Sequence, residues 1–121
     1  MSYDDFVQSV ETKANLERGE AERTTVAVLQ ALCDRLTGEE AWDLLAQLPA
    51  QLKKAVTITQ APMAMTRDEF VNRIAEELEV PREDARDRIR AVFGTLREAV
   101  SWGELEDVIL QLEPDYVDLL A

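Results

Sequence analysis

EEAWDLLAQLP, residues 39–49, returns in altered form as GELEDVILQLEP at 103–114. The pairing reaches well beyond these lines. Sliding the chain by 64 positions without a gap sets Phe6 on Phe70, Val7 on Val71, Ala21 on Ala85, Ala27-Val28 on Ala91-Val92 and Leu32 on Leu96. Twelve of the 54 pairs from Tyr3/Arg67 to Val56/Leu120 are identical, and most other apolar positions meet apolar ones. A hydrophobic phase kept this long implies two copies of one helical unit, each too small to bury its apolar face alone. The expectation is an all-α fold: two tandem, gaplessly duplicated units of about four helices each, residues 2–56 and 66–121, packed as one domain and joined by a linker at 57–65.

Each copy carries the same punctuation. Ser2 and Thr66 are N-cap residues with an acid three places on, which would satisfy free backbone N–H groups at the start of a first helix. A second helix is expected over 18–36 and 82–100, with Pro81 near its start in copy two, where a missing N–H costs little. Thr37-Gly-Glu-Glu40 and Ser101-Trp-Gly-Glu104 are S/T-x-x-E capping boxes opening a third helix. Pro49 and Pro114 then break the chain before a short last helix ending near Val56 and Leu120. No strand pattern occurs. The linker TITQAPMAM is unusually apolar, and Ile58, Met63 and Met65 are expected to tuck against the junction between copies.

The chain has 121 residues, long enough for one domain to bury most of its apolar surface without staples. Thirteen basic residues against 25 acidic ones give a formal net charge of −12, which disfavours nucleic acid and anionic membrane at long range. No continuous apolar run is long enough to span a bilayer, and the start MSYDDFVQSV lacks an export signal, so the expected location is the cytoplasm. Histidine is absent, and the single cysteine, Cys33, lies in an apolar helical run and reads as a buried small hydrophobe. The four glycines are isolated, so there is no phosphate loop. No catalytic residue, cofactor, metal or small-molecule substrate is indicated.

Three features ask for more than packing. Glu40, Asp43 and Gln47, repeated as Glu104, Asp107 and Gln111, fall at i, i+3 and i+7 and form one polar stripe per copy. Two carboxylates and an amide are too few oxygens for Ca²⁺. The preferred reading is structural: the glutamates complete capping boxes, each Asp bonds its Gln at i+4, the glutamines reach free carbonyls at their own helix end, and Arg18 and Arg82 pair with these acids. Second, Arg82, Arg86, Arg90 and Arg97 lie on one side of the second helix of copy two, where copy one keeps only Arg18. This is a solvated face knitted by neighbouring acids, a set of arginines pairing across the copies, or a docking strip for an acidic partner or a phosphate. Third, Trp42 and Trp102 have no aromatic counterpart in the other copy; each is a candidate contact, with burial between the copies preferred.

Across its length the sequence resembles the bacterial and archaeal domain-of-unknown-function family 2267. The carriers are the opening Tyr3-Asp4-Asp5-Phe6 and two segments like G-E-A-x-D-L-x-A-Q-L-P: Gly38 to Pro49, with one residue inserted before Ala41, and Arg97 to Val108 followed by Gln111-Leu112 and Tyr116, with Pro114 one place late. The resemblance implies an all-α fold of two similar helical halves and no catalytic residue.

The expected function is a non-enzymatic protein–protein interaction module binding another protein or itself, with Arg82, Arg86, Arg90, Arg97, Trp42 and Trp102 as the partner-binding residues. The alternative is a nucleic-acid-binding protein of tandem helix-turn-helix type. Charge weighs against it, since the half holding the Arg strip, 61–121, has 7 Arg against 15 acids.

Overall fold

Ser2 and Thr66 each accept a hydrogen bond from the amide three residues on, and the acids there, Asp5 and Glu69, accept one from the cap amide. Free N–H groups at each helix start are thereby satisfied, launching α1 (Tyr3–Ala14) and α5 (Arg67–Leu78). Both stop at a residue in the left-handed region, Asn15 at φ 55° and Glu79 at φ 56°. There the next amide reaches back five residues, Leu16 to Glu11 and Val80 to Ala75, each at 3.0 Å. α2 (Arg18–Arg35) and α6 (Arg82–Ala99) follow, then α3 (Gly38–Ala46) and α7 (Trp102–Gln111), opened by Thr37 and Ser101. Pro49 precedes α4 (Ala50–Ala55), whereas Pro114 starts a 3-10 turn (Pro114–Tyr116) before α8 (Val117–Leu120). The computed structural model describes residues 1–59 and 61–120; Gln60 of the expected linker and Ala121 of the expected second unit lie outside them. Among the described residues there is no strand, and no helix is long and apolar enough to cross a membrane.

The apolar stripes meet in one core. α1 lies on α2 and on α6, α5 lies on α6 and on α2, and α2 touches α6. Phe6, Val7 and Val10 of α1 and Phe70, Val71 and Ile74 of α5 are fully buried. Burying each such side chain is worth roughly 1.5–3 kcal/mol, far more than any surface ion pair. Phe70 also packs against Phe93 (6.0 Å between ring centres) and edge-on against Tyr116 (5.5 Å), whose hydroxyl donates to the Met65 carbonyl at 2.7 Å. That bond gives the one polar atom of a buried ring its partner.

The 57–65 segment divides. Met65 is buried, Ile58 packs against the core, and Met63 points into solvent. The Gln30 side-chain amide holds both backbone groups of Thr57, each at 2.9 Å, and the Met63 amide donates to the Asp34 carbonyl at 2.7 Å. The segment is thus tied to α2 and passes the start of α3, where the Thr59 carbonyl would stand only 3.1 Å from a Cβ at position 38. A side chain at position 38 would need that carbonyl to give way by a few tenths of an ångström.

Candidate functional site

The two polar stripes face each other where α3 packs on α7. The Thr37 amide donates to Gln111 Oε1 at 3.0 Å, and the Ser101 amide donates to Gln47 Oε1 at 2.8 Å. Each glutamine also bonds the cap hydroxyl, Gln111 to Thr37 and Gln47 to Ser101, at 3.3 Å. Each helix therefore has its N-terminus capped by the glutamine at the other's C-terminal end. This corrects the expectation that the glutamines serve carbonyls of their own helix and bond Asp43 and Asp107. It also corrects the capping boxes of α3 and α7. Thr37 and Ser101 do accept from the Glu40 and Glu104 amides, at 3.2 Å each, but the acceptor for the cap amide is a glutamine.

The glutamates, relieved of capping, turn into the seam. Carboxylate oxygens of Glu40, Glu104 and Asp107 lie within 4.8 Å of one another. Glu40 is only 8% exposed, and its Oε1, like Oε1 of Glu104, is buried without a hydrogen-bond partner. Among the described residues no Lys or Arg pairs with Glu40, Asp43, Glu104 or Asp107. Burial pushes the Glu40 carboxyl up to about 8, reinforced by a hydrogen bond shared with Glu104 and by the negative charge of Glu104, Asp107 and Asp43. These are donors suited to a proton or a hard cation.

Arg18 and Arg82, expected to pair with these acids, pair with the first helix of their own half instead: Arg18 with Asp4 at 2.6 Å, Arg82 with Asp68 at 3.4 Å. The ties between halves come from cations the sequence did not single out. Arg73 meets Asp34 at 2.6 Å, Arg88 meets Glu20 at 3.0 Å, and Lys13 meets Glu98 at 2.7 Å. Arg35 bonds Glu113 and the Gln111 carbonyl, closing the C-terminal end of α7. No sequence signal separated these from other charged residues on helix faces.

The Arg strip does not act as a unit. Arg82 is engaged by Asp68, Arg86 is half-buried, and Arg90 donates to the Asp118 carbonyl at 3.1 Å with Asp87 at 3.9 Å. Arg97 is exposed on the rim of an apolar cavity of about 230 Å³ between α6, α7 and α8. Phe93, Leu96, Leu105, Val108 and Leu120 line its walls, and Trp102 stands at its edge. Neither tryptophan is buried between the halves: Trp42 is 61% and Trp102 69% exposed, because both sit on the outer sides of α3 and α7 while the seam is occupied by the polar stripes. The Lys53 ammonium stands over Trp42, 5.8 Å from its ring centre. Leu110 and Val117 add exposed apolar surface on α7 and α8. Cys33 is buried, and burial raises its thiol to about 12, so it is no nucleophile at neutral pH.

The model of one family, described as "Uncharacterized conserved protein (DUF2267)", matches residues 3–119. Among curated proteins none matches the chain.

Proposed function

This chain belongs to the DUF2267 family, and we propose that it is a non-enzymatic interaction module, built from two copies of one helical unit, that holds an extended apolar segment of a partner protein in the groove beside Trp102. The equal spacing of the helices supports the duplication: α5, α6 and α7 begin 64 residues after α1, α2 and α3. So does the reciprocal glutamine capping, in which each half does for the other the same job with the same residue.

The observation that carries the binding reading is a difference between the halves. In copy one the face of α2 and α3 that holds Leu29, Leu32, Cys33, Ala41 and Leu44 is buried, and the chain at 57–59 lies beside it, passing Gly38. The corresponding face of copy two is Phe93, Leu96, Arg97, Leu105 and Val108, with Trp102 in the place of Gly38. Phe93, Leu96, Leu105 and Val108 are buried like their counterparts, so the halves differ in exposed Arg97 and Trp102, which stand at the edge of the cavity these residues line. Because Trp102 fills the place over which 57–59 passes at Gly38, the partner segment lies beside that ring and not across it, its apolar side chain entering the cavity and a carboxylate or backbone carbonyl meeting Arg97. This belongs with the helix-in-groove and strand-in-groove recognition in which a few buried anchors supply most of the affinity. The engagement of Arg82 and Arg90 by groups of the protein itself leaves phosphate recognition without a contiguous basic surface.

Selection from a random peptide display library tests it. Peptides enriched on the protein should carry an apolar segment with an acid beside it, and should shift Trp102 emission to the blue in a Trp42→Phe background. Binding should fall at least ~10-fold in Trp102→Ala and in Arg97→Glu, the loss expected of a central anchor. Enriched peptides that bind both variants unchanged would place recognition elsewhere, and failure to enrich any peptide would sink the reading.

A further inference from the structure

The seam between α3 and α7 presents a problem the groove does not touch. Four carboxylates crowd one helix contact, and two of their oxygens, Oε1 of Glu40 and Oε1 of Glu104, are buried with no donor. A buried carboxyl whose oxygen lacks a donor cannot keep its charge at low cost, so it must hold a proton or take up a cation. The protein had an obvious donor for each, the cap amide of its own helix, and gave it to a glutamine of the other half instead. The pairs Glu40/Glu104, Asp43/Asp107 and Gln47/Gln111 are three of the twelve identities between the halves, all within eight positions. The seam therefore keeps both the glutamines that displace the glutamates and the glutamates they displace.

Each stripe alone is too poor in oxygen for a cation, but the seam adds the two together. Oxygens of Glu40, Glu104 and Asp107 no farther than 4.8 Å apart enclose a point about 2.8 Å from each, and small side-chain rotations bring that to the ~2.1–2.6 Å of Mg²⁺ or Ca²⁺ ligation. Asp107 is exposed, so one side of the set is open to water, which would complete the shell. With only oxygen donors, and no histidine in the chain, the set suits hard cations and not Zn²⁺ or Cu²⁺.

We propose that Glu40, Glu104 and Asp107 bind one hard divalent cation at the α3–α7 seam, clamping the two halves through a ligand set that neither half holds alone. Glu40 supplies the buried ligand, Glu104 the ligand from the opposite helix and Asp107 the ligand nearest solvent. Asp43 adds negative charge on the other flank.

The experiment is a titration of chelator-stripped full-length protein with Mn²⁺, read by the EPR signal of the free ion, with Mg²⁺ and Ca²⁺ as competitors in 0.15 M salt. One site per chain is expected, together with a rise in melting temperature on adding cation. Glu40→Gln and Asp107→Asn should each weaken binding at least ~10-fold, the floor set by what even outer-sphere partners of metal ligands contribute. Asp107→Asn alters an exposed side chain and keeps the fold whatever Glu40→Gln does. Glu106→Gln, on the solvent side of α7, should leave binding unchanged. Absence of a saturable site at millimolar Mn²⁺ would overturn the proposal, and so would an equal loss in Glu106→Gln, which would mean a diffuse cation atmosphere around an acidic protein.

Discussion

Replacing Glu40 by Gln should stabilise the protein in alkaline solution and leave it nearly unchanged in acid. The Glu40 carboxyl titrates at about 8 in the fold against an ordinary 4.5. Below pH 4.5 it is protonated both folded and unfolded, and contributes no penalty. Between 4.5 and 8 the unfolded chain ionises while the folded one holds its proton, so the wild type loses stability as pH rises; above 8 both states are ionised and the loss is complete. A shift of this size corresponds to about 5 kcal/mol as an upper limit, at ~1.4 kcal/mol per unit. Water reaching exposed Asp107 and half-buried Glu104 screens part of it, so about 2–3 kcal/mol is the expected difference. The glutamine amide is neutral at every pH, fills nearly the same volume and donates to Glu104. Urea and thermal melts of both proteins from pH 4 to 9, with a chelator present throughout, read the effect directly. The variant should match the wild type near pH 4 and exceed it increasingly up to pH 8, by roughly 4 °C of melting temperature per kcal/mol. A variant less stable than the wild type by the same amount at every pH would refute the reasoning, since Glu40 would then be held by bonds its carboxylate makes and not opposed by its charge.

Gln111→Ala and Gln47→Ala should each cost about 1 kcal/mol in urea melts, because each strips a helix N-terminus of the acceptor on its cap amide, at Thr37 and Ser101 respectively. Arg73→Ala should cost about 2 kcal/mol, between an exposed and a buried pair, since Asp34 would keep only its Gln30 bond; a loss below about 0.5 kcal/mol, measured the same way, would count against the pair as a tie between halves. Glu79 occupies the left-handed position that ends α5, so Glu79→Gly should gain roughly 1 kcal/mol by calorimetry, while Asn15→Gly at the matching end of α1 should gain less because Asn tolerates that backbone better.

The helices were legible because their causes are local. Ser2 with Asp5 and Thr66 with Glu69 cap their own chain ends, Pro49 and Pro114 break it, and Phe6, Phe70 and their neighbours repeat at helical spacing; none of this depends on what lies across the core. The 64-residue offset, and Cys33 as a buried hydrophobe, were readable for the same reason. Even the stripe of Glu40, Asp43 and Gln47 could be picked out as a unit from its repetition.

What the stripe does was decided only by α3 meeting α7. A glutamine two turns along a helix is within reach of several acceptors and donors, and the partner that wins is whichever one the packing sets at hydrogen-bond distance. Gln111 finds Thr37 74 residues away, and that choice releases Glu40 into the seam. Reading each half by itself gave two carboxylates and an amide, because the opposing set is invisible until the halves are docked. Arg18 and Arg82 show the same physics: long side chains on α2 and α6 border α1 and α5 on one flank, and Asp4 and Asp68 stand nearer than any acid of the third helix. The tryptophans went the other way for a related reason. Local pattern made burial between the copies the preferred reading, but whether such a ring is covered depends on the neighbouring chain, and the stretch at 57–59 roofs Gly38 in one half while Trp102 stands open in the other.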